Sequence, residues 1–227
     1  GGGGSDGRSR ATAAKEVVLS AGAIGSPHIL QVSGVGCRDL LSKFGVACLH
    51  HLPEVGRNLQ DHLQIRAVFK LTAGDPLTLN QMAGSLWGQI KMGLEYILFQ
   101  TGPLAMAPSQ LGAFVKSPKA ETPDLQYHIQ PLSLDSFDSP LHTFPGLTTS
   151  VCNLRPTSRG SVTLSGPDPT TAPPLIDPNY LSTDEDRQIA ADSLRLSRRI
   201  MQRPAMAKYA PVEHFPGAQY ETDEQPA

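Results

Sequence analysis

The stretch that most constrains the fold lies near the start of the chain, at residues 15–36, KEVVLSAGAIGSPHILQVSGVG. Val17-Val18-Leu19 is an unbroken apolar, β-branched run of the kind found in strands buried on both faces. Ala21-Gly22-Ala23 then strips away side-chain bulk where that strand would end, so a ligand or another backbone can come close. Ser26 suits an N-cap and Pro27 a first helical turn. Ile29, Leu30 and Val32 supply an apolar face, and Gly34 suits the left-handed position after the last turn. The pattern predicts strand, small-residue turn and capped helix. In an open α/β sheet, the crevice beyond the carboxyl end of such a strand is where nucleotides bind.

Further along, residues 39–44 with Gly45 beyond them predict a short helix, 46–49 a short strand and 50–61 a loop. Residues 63–71 alternate apolar with Gln64, Arg66 and Lys70, as a half-buried strand does. Leu79, Met82, Leu86, Trp87, Ile90, Leu94 and Leu98 recur at helical spacing. They predict one amphipathic helix of about five turns, closed by Gly102-Pro103, with Trp87 in the core. Residues 110–116, 124–130, 148–154 and 161–164 are strand candidates with few helices between them, which favours an antiparallel sheet. After a proline-rich connection, Ser182-x-x-Glu185 forms a capping box. With Asp184 and Asp186 also favouring the positive helix start, it opens a helix running to about Gln202, with Ile189, Leu196 and Ile200 inward, the arginines outward and Pro204 as its stop.

Composition narrows the function. At 227 residues the chain can bury a real core, and its net charge of −2 argues against nucleic acid as a main partner. Cys37, Cys48 and Cys152 are odd in number and lack metal-site spacing, so they are expected to be free, buried thiols of a reducing compartment, which favours a cytoplasmic location. No apolar run is long enough for a membrane span, and no histidine–carboxylate set has metal-ligand spacing along the chain.

The chain also carries a family resemblance. Gly22-Ala23-x-x-Ser26-Pro27-x-Ile29-Leu30-x-x-Ser33-Gly34-Val35-Gly36 resembles the second signature of the glucose–methanol–choline (GMC) oxidoreductases. Residues 53–62, Pro-Glu-Val-Gly-Arg-Asn-Leu-Gln-Asp-His, resemble a further segment of that family. Gly102-Pro103-Leu104, Gly112-Ala113-Phe114, Arg155-Pro156-x-Ser158-Arg159-Gly160 and Pro178-Asn179-Tyr180-Leu181 follow in the same order. The resemblance covers residues 14–216. It implies an α/β (α+β) architecture: part of an FAD-binding, Rossmann-like domain at 15–62, after a flexible segment at 1–14, and an antiparallel-sheet substrate domain with helices at 63–227. It also implies FAD as cofactor and an alcohol as substrate, with a histidine taking the hydroxyl proton while hydride passes to the flavin. The electron acceptor is not legible.

The family's opening G-x-G-x-x-G and its catalytic histidine motif are both absent from these residues, so the chain is expected to be an internal fragment with no catalytic residue of its own. A non-catalytic module that kept the substrate domain is the alternative. Ser20, Ala21 and Gly22 are the expected cofactor contacts, through backbone; the competing reading is that small residues merely let helix and strand pack. Gln110 and His128 are candidate substrate contacts. Gln110 lies near where choline-oxidising members carry a carboxylate, and its amide argues against choline. Gln126, His128 and Gln130 alternate and either line a pocket or form an exposed polar face. His62 is expected as a buried loop anchor, with ligand contact as the rival, and the remaining histidines as solvated or structural groups.

Overall fold

The computed structural model describes residues 11–136, 138–217, 219 and 220. Most of the segment expected to be flexible therefore lies outside the described residues, and 11–14 carry no helix or strand. The chain divides into two compact units. One joins residues up to 59 with 159–179, and the other joins 60–158 with the chain from 180 onward.

In the first unit, α1 (Gly22–Val32) leads into β1 (Val35–Gly36), α2 (Arg38–Lys43) and β2 (His50–His51). β1 and β2 pair in parallel. β7 (Ser161–Thr163) and β8 (Leu175–Asp177) form a separate antiparallel pair. Gly34, at φ +84°, ends α1 in the left-handed region as its sequence required, and Gly45 does the same after α2. Three expectations change here. Val17-Val18-Leu19 is not a strand: Val17 and Val18 are 77% and 76% exposed, and no described segment pairs with them. β-branched residues favour a strand only when a neighbouring strand takes up their hydrogen bonds. The short strand expected at 46–49 lies instead at His50–His51, in what was expected to be loop. Residues 159–179, expected in the second domain, pack with the first unit: Leu59 and Gly160 exchange backbone hydrogen bonds of 3.1 and 2.8 Å.

The second unit is built on a five-stranded antiparallel sheet, order β4-β5-β6-β3-β9. Its strands are β3 (Gln64–Leu71), β4 (Leu111–Val115), β5 (Leu125–Gln130), β6 (Gly146–Asn153) and β9 (Pro211–Phe215). α5 (Asp184–Met201) covers one face, packing Ile189, Leu196 and Ile200 on Leu125, Tyr127, Val151 and Ile65. Ala67 and Phe69 continue this core with Met201 and Leu194. A Leu, Ile, Val, Phe or Met side chain, where fully buried, contributes about 1.5–3 kcal/mol. Arg198, expected outward, turns to Glu213 on β9 in a bidentate pair at 2.7 and 2.9 Å. α5 is capped one residue later than expected: the Thr183 hydroxyl accepts from the Asp186 amide. Pro204 ends α5 by opening α6 (Pro204–Ala207).

The long helix expected over 79–98 is two, α3 (Leu79–Ala83) and α4 (Leu86–Phe99). The break falls at Gly84-Ser85, where the Ser85 hydroxyl accepts from the Gly88 amide and caps α4. Trp87 is 82% exposed, not core, and Leu86, Leu94 and Leu98 are exposed with it. No helix among the described residues is long and apolar enough to cross a membrane. All three cysteines are free; Cys152 is buried, whereas Cys37 and Cys48 are only half-buried.

Candidate functional site

Two surfaces carry the residues singled out from the sequence. In the first unit, Ser20, Ala21 and Gly22 form an exposed turn that opens α1. Gly22 adopts φ +78°, and a β-carbon there would meet nothing within 4 Å. Space lies open above it. Ser26 caps the turn from behind, its hydroxyl accepting from the Ala21 amide at 3.0 Å. Helix α1 thus begins four residues before the expected N-cap, and Pro27 falls inside it. Its first turn holds no acidic residue, so the positive end of the helix dipole is uncompensated.

The turn is held through Gln31, a residue the sequence did not flag. Gln31 is fully buried, and its amide donates to the carbonyls of Val55 and Val162 at 3.1 and 2.9 Å. This fixes α1 against β7 and against the Val55-Gly56 bend of the second family segment. Gly56 has φ +82°, and a side chain there would run into the Val162 carbonyl and the Gln31 amide. Only glycine fits.

In the second unit, the sheet face opposite α5 is polar. Register places Gly112 opposite His128 and His128 opposite Ser150, with Ser150 opposite Arg66. Alternation puts Gln126 and Gln130 on that same face. His128 is half-buried, whereas Gln110 is exposed just before β4, its backbone N–H donating to the Ile129 carbonyl at 3.1 Å. Gln110 and His128 are therefore diagonal neighbours across β4 and β5. Gln130 is turned aside and donates to the Ser109 hydroxyl at 3.0 Å.

The other family segments are largely architectural. Asp61 accepts from the His62 amide at 2.9 Å and takes the Tyr180 hydroxyl on its other oxygen. That bond to a carboxylate, helped by partial burial, pushes the Tyr180 phenol above its ordinary value. His62 is exposed rather than buried, and its Nε2 lies 3.2 Å from the Leu154 carbonyl. Asp186, expected only as a favourable charge at the start of α5, also organises residues 153–158. Its carboxylate accepts from the Ser158 and Thr157 amides at 2.8 and 2.9 Å, and from the Thr157 hydroxyl and Asn153 amide at 3.2 Å. Burial works to raise its pKa, but the Ser158 hydroxyl, with the Thr157 and Ser158 amides and the Thr157 hydroxyl, outweighs it and holds the carboxyl below its ordinary value. An acid three residues past a threonine N-cap was the available signal. Folding also gathers Asp135, His142 and His214, which spacing along the chain does not reveal.

Two family models, both described as GMC oxidoreductase, match residues 2–64 and 156–227. Oxygen-dependent choline dehydrogenase of Citrobacter koseri is 40% identical over 95% of this chain, and that of an Escherichia coli strain is 39% identical over the same share. The chain spans 38% of the length of each. Among solved structures, pyridoxine 4-oxidase from Mesorbium loti matches at 30% identity and TM-score 0.66, over 87% of this chain and 34% of that one. Formate oxidase at 22% identity and TM-score 0.79, over 92% and 41%, shows the same fold. An antiparallel sheet backed by a long helix, a glycine-opened first helix and two matching family models converge: the chain belongs to the GMC oxidoreductase family.

Proposed function

We propose that this chain forms part of an FAD-dependent oxidoreductase that oxidises the CH–OH group of an alcohol. The observation that carries the reading is the turn at Ser20, Ala21 and Gly22. It combines a positive-φ glycine, open space above it and an uncompensated helix start. These residues fit the adenosine–pyrophosphate side of the dinucleotide, met by backbone amides at the positive end of α1. FAD bound there supplies the two-electron acceptor for alcohol oxidation. In the second unit, the polar sheet face presents His128 and Gln110 to orient a small alcohol by hydrogen bonds. The relatives' names make choline the first alcohol to test. Gln110, an amide with no charge to offer a trimethylammonium group, is the reason to run neutral alcohols beside it.

The test is flavin content of the full-length protein with Gly22→Val. A β-carbon at this position meets no neighbour. The folding cost is chiefly the strain of a β-branched residue at positive φ, about 1–3 kcal/mol, below ordinary domain stability. Flavin occupancy is expected to fall several-fold while far-UV circular dichroism is kept. Unchanged flavin content would refute the contact.

A further inference from the structure

Beside β3 and β9 in the second unit, a cavity of about 450 Å³ is lined by Gln64, Arg66, Val68, Asp135, His142 and His214, among others. One donor atom from each of Asp135, His142 and His214 lies within 4.8 Å of the other two. His142 is fixed on every side. Its Nδ1 is 3.0 Å from the Ser133 hydroxyl, its Nε2 is 3.0 Å from an Asp135 oxygen, and its ring stacks on Phe144 at 4.7 Å. The buried Asn80 holds the loop beneath. It accepts from the Ser133 amide at 2.9 Å and donates to the carbonyls of Ser133 and His142 at 2.9 and 2.8 Å. His214, on β9, meets the His142 ring edge-on at 5.1 Å.

We propose that Asp135, His142 and His214 bind a single divalent transition-metal ion of the zinc class, tying Asp135 and His142 to β9. Two imidazoles and a carboxylate suit such an ion, and three protein ligands leave a position for water. A hydroxyl on His142 Nδ1 is the outer partner that presents Nε2 to a metal. Donors on one tetrahedral ion at zinc distances lie roughly 3.3 Å apart. The His142–Asp135 pair already meets that spacing, and the remaining closure of about 1.5 Å falls to Asp135 and His214, whose side chains are exposed. Two cations oppose the ion and limit its affinity. The Arg66 guanidinium lines the cavity while donating to the Leu134 carbonyl at 3.1 Å, and the Lys70 ammonium lies 5.5 Å from the Phe144 ring centre.

The experiment is calorimetric titration of chelator-stripped, full-length protein with Zn²⁺, with zinc-edge X-ray absorption on the loaded sample. One equivalent is expected to bind with two imidazoles in its coordination sphere. Asp135→Asn and His214→Gln should each weaken it at least about tenfold, whereas His50→Gln, outside the cluster, should leave it unchanged. Asp135→Asn removes only an exposed carboxylate charge, so it keeps the test open should His214→Gln disturb β9. The absence of saturable binding up to millimolar zinc, or an isotherm that neither cluster variant alters, would overturn the proposal.

Discussion

Asp186→Asn tests how the segment bearing Arg155, Pro156 and Ser158 is held in place. The carboxylate receives the Ser158 and Thr157 amides, both of their hydroxyls and the Asn153 side chain, and Asp186 is only 4% exposed. Asparagine keeps the size but loses the charge, and one oxygen becomes a donor. In the better orientation the new NH₂ faces the Ser158 amide, whose residue is 5% exposed, leaving a buried donor unmet at about 1–3 kcal/mol. The remaining bonds lose their charge assistance, and the first turn of α5 loses a favourable anion worth about 0.3–1 kcal/mol. The sum is roughly 3 kcal/mol, or a urea midpoint lower by about 1.5 M for a slope near 2 kcal/mol/M. Unfolding should be followed by far-UV circular dichroism, because the single tryptophan, Trp87, is exposed in the native state. The sign of the pH dependence follows from the depressed native pKa. The stabilisation is fully present above the unfolded value near 4 and is lost as pH falls through the lower native value. The variant's penalty should therefore shrink below about pH 4. A midpoint shift under about 0.5 M at neutral pH, or a penalty unchanged at pH 3, would refute the reasoning.

Gly56→Ala should cost more than the 1–2 kcal/mol of left-handed strain, about 3 kcal/mol or above, because its methyl also meets the Val162 carbonyl and the Gln31 amide; a thermal melt within a degree or two of wild type would contradict this. Tyr127→Phe removes a 2.7 Å bond to the Ser193 carbonyl, which still accepts from the Ser197 hydroxyl at 3.0 Å. The loss should stay near 1 kcal/mol by urea denaturation, and a loss above about 3 kcal/mol would show that the hydroxyl does more than fill one bond.

Local chemistry was legible from the residues. Gly34 and Gly45 end their helices in the left-handed region, the alternation over 63–71 is β3, and the acids at 184–186 open α5. What failed depended on partners distant in sequence. Val17 to Leu19 had the residues of a strand but no paired neighbour, and Trp87 had the spacing of a core residue but no surface to pack on. The break at Gly84-Ser85 was visible in principle, since serine before an apolar run is an N-cap, but the apolar periodicity ran straight across it. The buried contacts of Gln31 and Asp186 were unreadable for another reason. A buried polar side chain looks like a surface one until the carbonyls or amides that satisfy it are in place.

The five-stranded sheet has two rims, and they are not equally guarded. The β9 rim runs between Pro211 and Pro216 and carries Glu213, features that discourage another chain from adding to it. The β4 rim has Leu111 and Phe114 bare to solvent at 65% and 62% and no proline or charge within the strand. A concentrated preparation of this polypeptide would polymerise from that side first, and a lysine introduced at position 114 would be the simplest way to keep it in solution.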